Sequence, residues 1–133
     1  MYLVDTNVFL ELLLEQEKAE DVEQFLQSVP HDRLHLSDFS LYSIGIRLSR
    51  EKLLATFRRF VEDMITSGGV TVVRLAVNEM PRVVHFVQRF NLDFDDAYQY
   101  ASAEKYDLTI VSFDSDFDRT ERGRKVPADV LRK

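Results

Sequence analysis

Apolar residues along this chain fall into two patterns, which predict alternating strands and helices. Short, uninterrupted apolar runs predict strands buried on both faces, and longer segments with apolar residues three or four positions apart predict helices that bury one face. Strands are predicted at residues 2–4, 34–36, 70–74 and 108–111, with a last small strand near 124–126. Helices are predicted at residues 7–15, 18–28, 38–49, 51–66, 77–90 and 94–106, with a short turn or helix near 115–118.

The order of these elements predicts the fold class. Strands alternate with helices throughout, and the connections are short, which favours a mainly parallel sheet covered by helices on both faces. We therefore expect a three-layer α/β/α fold. A length of 133 residues suits one domain, and the sequence has no linker, repeat or low-complexity segment, so residues 1–133 are expected to form a single domain.

The composition excludes several classes of protein. The chain has no cysteine, which excludes disulfide bonds, thiolate catalysis and zinc bound by sulfur, and fits a reducing cytoplasm. No apolar run approaches the roughly 20 residues of a membrane-spanning helix, and the N-terminus lacks the basic start of a signal peptide. We therefore expect a cytoplasmic protein with no membrane association. The net charge of −6 argues against nonspecific binding of nucleic acid by the protein as a whole.

Acidic residues recur where the predicted strands end. Asp5 follows the first strand, Asp114 and Asp116 follow the strand at 108–111, and Asp96 lies near the start of the helix before that strand. Open α/β folds form their sites at the carboxyl edge of the sheet, and the first and fourth strands are expected to be neighbours there. Clustered carboxylates repel one another without a cation, and Mg²⁺ prefers such oxygen ligands. The pattern therefore predicts a divalent-metal site.

Each acid also has an ordinary structural explanation. Asp5 is equally suited to cap the helix that follows it. Asp93 and Asp95 are better explained as helix caps. Asp114 and Asp116 fit a solvated acidic turn. These local explanations do not account for the recurrence of acids at the ends of two strands that are expected to be neighbours.

Three motifs together resemble the PIN domain family. Residues 5–7 (DTN) follow an N-terminal strand, residues 92–97 (LDFDDA) lead into a helix, and residues 108–117 (LTIVSFDSDF) contain the fourth strand and the acids after it. The resemblance spans essentially the whole chain and implies a PIN-like fold and a small Mg²⁺- or Mn²⁺-dependent ribonuclease. Many relatives of this size are VapC-type toxins that form homodimers and are held inactive by a small antitoxin. An RNA substrate, an antitoxin partner and a homodimer are therefore expected.

The resemblance also implies roles for individual positions. Asp5, Asp96 and Asp114 fall on the metal-ligating acids, and Asp116 falls on the auxiliary acid that completes the catalytic set. Ser112 falls on the small hydroxyl residue before the last of these ligands. Thr6 and Ser112 are expected to hold water molecules or carboxylates beside the metal, and Ser43 is expected to lie with them around the ligands.

One position departs from the family pattern. The family usually places a glutamate in the third helix, six residues after the serine that starts it, and counting from Ser37 that position is Ser43. Asp38 is the nearest acid, but five residues at about 100° each put it roughly 140° around the helix from Ser43. The alternative function is therefore a degenerate PIN domain that binds RNA or a protein and cleaves weakly or not at all. A phosphatase acting on small phosphates is a third possibility, which the order of the motifs disfavours.

Three surface features have open interpretations. The basic segment 47–59 is either a solvated face or an RNA contact, and the RNA hypothesis involves Arg47, Arg50 and Lys52. Arg47 is expected one helical turn beyond Ser43, where it would hold a phosphate and compensate for the missing glutamate. The apolar helix at 7–15 is either fully buried or part of a dimer or partner interface. Aromatic residues are expected in the core, with Tyr42 and Tyr98 as the candidates for an RNA base contact near the cleft.

Overall fold

Four short parallel strands form the centre of the protein. The computed structural model describes residues 1–131, and its strands are β1 (Tyr2–Val4), β2 (Leu34–Ser37), β3 (Thr71–Val73) and β4 (Thr109–Val111). They pair in the order β3-β2-β1-β4, and every pair is parallel. The prediction of a parallel sheet with the first and fourth strands as neighbours is confirmed.

Helices connect the strands and cover both faces of the sheet. The helices are α1 (Thr6–Leu13), α2 (Ala19–Ser28), α3 (Asp38–Arg50), α4 (Leu54–Phe60), α5 (Met80–Phe90), α6 (Phe94–Tyr106) and α7 (Pro127–Leu131). Single turns of 3₁₀-helix occur at His31–Arg33, Val77–Glu79 and Ser115–Arg119, and α4 continues as a π-helical segment at Val61–Thr66. No helix within residues 1–131 is both long and apolar enough to cross a membrane.

The two faces of β1 bury their side chains in different cores. Val4 packs with residues of α1, α2, α3 and α4, whereas Leu3 packs with residues of α5 and α6. Successive side chains of a strand point to opposite faces, so a sheet covered on both sides needs apolar residues at consecutive positions. This requirement explains the uninterrupted apolar runs in the sequence, and the three-layer α/β/α prediction is confirmed.

The helix predicted at 51–66 is wrong in part. The α-helix starts only at Leu54, because Lys52 adopts a left-handed conformation with a φ of 58° that separates α3 from α4. From Val61 the hydrogen bonding widens to the π pattern, which ends before Gly68. The apolar spacing marks the buried face of this segment correctly but does not report these two changes of backbone.

The C-terminal end also differs from the sequence prediction. In place of a strand at 124–126, Lys125 makes one isolated parallel bridge with Val111. The chain then enters α7 at Pro127, a helix that the apolar pattern does not predict. Proline suits the first position of a helix because its fixed φ is helical and the amide hydrogen it lacks would have no intrahelical partner there. Residues 124–126 therefore form only a minimal extension of the sheet.

Candidate active site

The carboxyl edge of the sheet forms a cleft of about 240 Å³ with an acidic lining. Asp5 enters it from the end of β1, Asp96 from the first turn of α6, and Asp114 from the segment after β4. Thr6 and Ser43 line the same cleft from α1 and α3. The side chains that the sequence singles out from four separate segments therefore lie around one cavity.

Two groups of three carboxylates lie close enough together to hold a metal ion. Asp96, Asp114 and Asp116 each offer an oxygen, and these oxygens lie within 4.8 Å of one another. Asp93, Asp95 and Asp96 form a second group of the same dimensions, in which Asp96 is buried and the other two residues are exposed. Asp96 thus belongs to both groups and is the central acid of the site.

Asp5 is held by hydrogen bonds to both of its carboxylate oxygens. Oδ1 accepts from the backbone N–H of Thr6 at 2.8 Å and from Nε2 of Gln99 at 3.0 Å. Oδ2 accepts from Oγ of Ser112 at 2.7 Å and from Nδ2 of Asn7 at 3.4 Å. Asp5 therefore caps α1 and also lines the cleft, so the structural explanation and the site explanation both apply to it.

Burial and the charges of neighbouring acids disfavour the ionisation of Asp5 and Asp96. Burial, a hydrogen bond with Asp114 and the charges of Asp114, Asp95 and Asp5 raise the pKa of Asp96 to about 8. Burial also raises the pKa of Asp5, against the lowering effect of its hydrogen bonds from Gln99 and Ser112. A cation in the cleft would stabilise the ionised forms of Asp5 and Asp96, against both burial and the repulsion between the acids.

Gln99 is a site residue that the sequence analysis missed. Its side chain is buried, and besides its bond to Asp5, Nε2 donates to Oγ of Ser40 at 2.6 Å. Ser40 in turn accepts from Oγ1 of Thr6 at 2.9 Å. Among the described residues, Oε1 of Gln99 has no hydrogen-bond partner. The available signal was its position three residues after Asp96, which puts both side chains on one helix face.

The donors in the cleft fit a hard divalent cation. They are carboxylate, hydroxyl and amide oxygens, which are the ligands that Mg²⁺ and Mn²⁺ take in proteins. Gln99 also lines the cleft, and the carbonyl oxygen of its side chain has no hydrogen-bond partner among the described residues. Asp116 is oriented at the edge of the cluster by Nη1 of Arg119, which contacts its Oδ1 at 3.0 Å.

Several predicted residues lie outside the acid cluster. Asp38 accepts hydrogen bonds from Oη of Tyr98 at 2.8 Å and from the backbone N–H of Phe39. These bonds hold its carboxylate away from the acid cluster. Tyr98 is buried and also accepts from the N–H of Leu75, which makes its prediction as a base contact wrong. The side chain of Asp93 makes no capping bond in the described part of the chain, although the residue precedes α6. The cap prediction is therefore wrong for that side chain.

The three basic residues of the RNA hypothesis lie at the end of α3 and just after it. Arg47 pairs with Glu51 at 3.2 Å and lines a separate cavity of about 500 Å³. Arg50 and Lys52 are exposed. Their contact with RNA stays a prediction.

Sequence and structure comparisons place this fold among known proteins. The sequence profile of the PIN domain matches residues 2–123. Comparison with curated protein sequences gives no significant match.

Solved structures with a similar fold include three bacterial proteins. A toxin–antitoxin complex from Klebsiella pneumoniae aligns with a TM-score of 0.76 at 18% identity, covering 96% of this chain and 98% of the other. VapC20 of Mycobacterium tuberculosis, a sarcin-ricin loop cleaving toxin, has a TM-score of 0.76 at 19% identity, over 89% and 93% of the two chains. FitAcB from Neisseria gonorrhoeae has a TM-score of 0.73 at 21% identity, over 96% and 98%. At such identities the likeness concerns the fold, whereas the sequence profile spans nearly the whole chain, and the protein therefore belongs to the PIN domain family.

Proposed function

We propose that this protein is a metal-dependent endoribonuclease and the toxin of a VapBC-type toxin–antitoxin pair. The observation that carries the proposal is the meeting of Asp5, Asp96 and Asp114 around one cleft at the carboxyl edge of the sheet. Family membership and the fold shared with VapC20 support a nuclease. The acidic cluster supports a dependence on Mg²⁺ or Mn²⁺.

The acids have distinct roles in this proposal. Asp96 and Asp114 would hold the cation, with Asp5 as the third ligand and Asp116 as the auxiliary acid. A bound divalent cation supplies positive charge to the phosphodiester and lowers the pKa of a water molecule. Asp96 would lose its proton as the site is loaded, because burial and the charge of Asp114 hold that proton in the metal-free protein.

Neighbouring side chains fix the position of Asp5 and Asp114. Ser112 donates its hydroxyl to Asp5 at 2.7 Å and accepts from the backbone N–H of Asp114 at 2.9 Å. One hydroxyl thus joins the ends of β1 and β4. Thr6 supports Asp5 indirectly, because its hydroxyl donates to Ser40, which accepts from Gln99. These contacts set the carboxylates in place before substrate binds, which is how partners of metal ligands act.

The RNA backbone is assigned to the basic end of α3. Ser43 lines the cleft and Arg47 lies one turn farther along the helix, with Arg50 and Lys52 beyond it. Arg47→Ala is expected to weaken RNA binding, since one phosphate contact is lost, and to leave the fold unchanged because the residue is exposed. Unchanged RNA binding and cleavage by this variant would remove Arg47 from the proposal.

A small antitoxin is the proposed protein partner, in the cytoplasm, and the toxin is proposed to form a homodimer. The structures of the Klebsiella pneumoniae toxin–antitoxin complex and of FitAcB have the same fold. An apolar cavity of about 240 Å³ lies between α1, α2 and α4, lined in part by Leu12, Leu13 and Phe60 and flanked by Arg59 and Asp63. We assign this surface to an apolar segment of the partner. A short reading frame beside this gene, encoding a DNA-binding protein that co-purifies with the chain, is the expected finding.

A cleavage assay with a matched control tests the nuclease. Single-stranded RNA is incubated with the purified protein in Mg²⁺, Mn²⁺ or EDTA. Cleavage in either metal, its loss in EDTA and its loss in Asp114→Asn are expected. Asp32→Asn is the control, because Asp32 is an exposed acid at the opposite end of the sheet. Cleavage that survives in Asp114→Asn would contradict the proposal.

The degenerate PIN domain is the second candidate, and Ser43 favours it. The cleft receives a hydroxyl from α3 where the family usually has a glutamate. RNA binding that needs no metal, without turnover in any of the three conditions, would select this candidate. Hydrolysis of a small phosphomonoester with no action on RNA would indicate a phosphatase instead.

A further inference from the structure

Two phenylalanine rings pack together where α3 and α6 begin, and one of them lines the acidic cleft. Phe39, the second residue of α3, lines the cleft with its side chain. Phe94, the first residue of α6, lies two positions before Asp96, and the residue is 50% exposed. The two ring centroids are 6.5 Å apart. A large aromatic surface is therefore open to solvent beside the carboxylates.

The inner ring of this pair is firmly supported. Phe39 packs against the ring of Tyr98 at 5.6 Å. Tyr98 is itself fixed by hydrogen bonds to the side chain of Asp38 and the backbone of Leu75. Phe94 thus rests on a row of rings anchored on α3, α6 and the segment after β3. A rigid aromatic surface loses little conformational entropy when a flat ligand stacks on it.

The charges around Phe94 indicate which part of a nucleic acid it accepts. Asp93 and Asp95 are exposed on either side of it, and Asp95 also lines the cleft. Two carboxylates repel a phosphate group at this point. An uncharged base is not repelled by these carboxylates, and every base has an aromatic face that can stack on the ring.

We propose that Phe94, supported by Phe39, is a stacking platform for an unpaired RNA base next to the phosphate that is cleaved. The inference rests on the proposed ribonuclease function and extends it by naming a base-binding subsite. Proteins that bind single-stranded RNA commonly stack splayed-out bases on aromatic side chains. Phe39 lines the cleft and the ring of Phe94 lies 6.5 Å from it, so a base stacked on Phe94 would lie next to the cleft.

The test combines variants of Phe94 with an RNA that lacks single bases. Binding of a short single-stranded RNA is measured by fluorescence anisotropy in Ca²⁺, with an abasic residue introduced at each position in turn. Phe94→Ala is expected to weaken binding of the intact RNA about 5- to 150-fold, the range that base stacking on an aromatic ring gives. Phe94→Trp is expected to retain binding. One abasic position should abolish the difference between the wild type and Phe94→Ala.

Tyr106→Ala is the matched control, since Tyr106 is an exposed aromatic residue at the far end of the same helix. Its binding should equal that of the wild type. Equal effects of Phe94→Ala on intact RNA and on every abasic RNA would overturn the inference. A change of oligomeric state in Phe94→Ala, seen by size-exclusion chromatography with light scattering, would overturn it in favour of contact with a second copy.

The same experiment separates this inference from the proposed function. If the wild type binds RNA but does not cleave it in Mg²⁺ or Mn²⁺, the nuclease proposal fails, and the abasic series still decides the role of Phe94. If the wild type binds no RNA at all, both proposals are overturned.

Discussion

Gln99 holds Asp5 in the cleft, and its removal tests how Asp5 is positioned. The amide of Gln99 donates to Asp5 and Ser40, so it joins α6 to the end of β1 and to α3. Gln99→Leu is expected to weaken Mn²⁺ binding about 10- to 100-fold, the usual effect of losing a partner of a metal ligand. Isothermal titration calorimetry measures this affinity directly.

The control for Gln99 is Gln88→Leu, which changes an exposed glutamine of α5. It should bind Mn²⁺ with the affinity of the wild type. Thermal melting in EDTA establishes that both variants fold. Tighter binding by Gln99→Leu would show the opposite role, in which the amide competes with the cation for Asp5.

Among the helices, α3 brings a hydroxyl to the cleft where a carboxylate would help a cation. Ser43 lines the cleft together with Asp5, Asp96 and Asp114. Ser43→Glu is expected to increase Mn²⁺ affinity roughly tenfold. An additional carboxylate ligand makes the binding free energy of the cation more favourable by about 1.4 kcal/mol or more. It should also lower the stability of the metal-free protein, because a further negative charge joins the cluster.

Ser49→Glu is the comparison for Ser43→Glu, because Ser49 is exposed near the other end of α3. It should leave Mn²⁺ affinity unchanged. Equal affinities for Ser43→Glu and the wild type would show that the side chain at position 43 does not reach the cation.

The π-helical segment after α4 depends on a glycine. A Cβ on Gly68 would meet the backbone oxygens of Asp63 and Met64, the latter at 2.6 Å, and backbone atoms cannot move aside cheaply. The oxygen of Met64 is already bonded by the N–H of Val70 at 2.9 Å, which fixes it in this position. Gly68→Ala is expected to lower the free energy of unfolding by about 3 kcal/mol or more, as other severe overpacking does.

Gly69→Ala provides the contrast to Gly68→Ala in urea denaturation. Gly69 has a φ of 90°, and no atom of residues 1–131 lies within 4 Å of its added Cβ, so only backbone strain of about 1–2 kcal/mol applies. Equal losses of stability in the two variants would contradict the clash at position 68.

Some elements of the fold could be predicted from the sequence and others could not. The meeting of Asp5 and Asp114 follows from two general rules, that a β–helix–β order gives parallel strands and that such strands end at one edge. The left-handed Lys52, the π-helical segment and Gln99 follow no such rule. The role of Gln99 depends on a contact between distant segments, its bond to Asp5 across 94 positions of sequence, whereas the other two are local changes of the backbone. Alternation of apolar residues carries no information about contacts of that kind.

For the protein as a whole, the acidic cleft predicts an opposite effect of pH on folding and on metal binding. The pKa of Asp96 rises from an ordinary 3.8 to about 8, so the folded state holds its proton more tightly than the unfolded state. The stability that this proton contributes is fully present below about pH 4 and is lost as the pH rises through about 8. The raised pKa of Asp5 acts in the same direction.

The metal-free protein should therefore become less stable between pH 5.5 and 8, by at most about 1.4 kcal/mol per pH unit for each group. This window lies above the titration of Glu79 and Glu104, whose pKa values are lowered and whose effect on stability has the opposite sign. Asp96→Asn should show a flatter dependence, because its amide does not titrate. Urea denaturation in EDTA at several pH values measures the slope for both proteins.

Mg²⁺ should oppose the loss of stability that the wild type shows as the pH rises. Cation binding displaces the proton of Asp96, so its affinity increases with pH over the same interval in which the metal-free protein loses stability. The rise in melting temperature on adding Mg²⁺ is therefore expected to be small at pH 5.5 and large at pH 8, and to be reduced in Asp96→Asn at every pH. If melting temperature depends on pH in the same way for the wild type and Asp96→Asn, with and without Mg²⁺, Asp96 is ionised in the metal-free protein. The cation would then not act by relieving repulsion within the cluster.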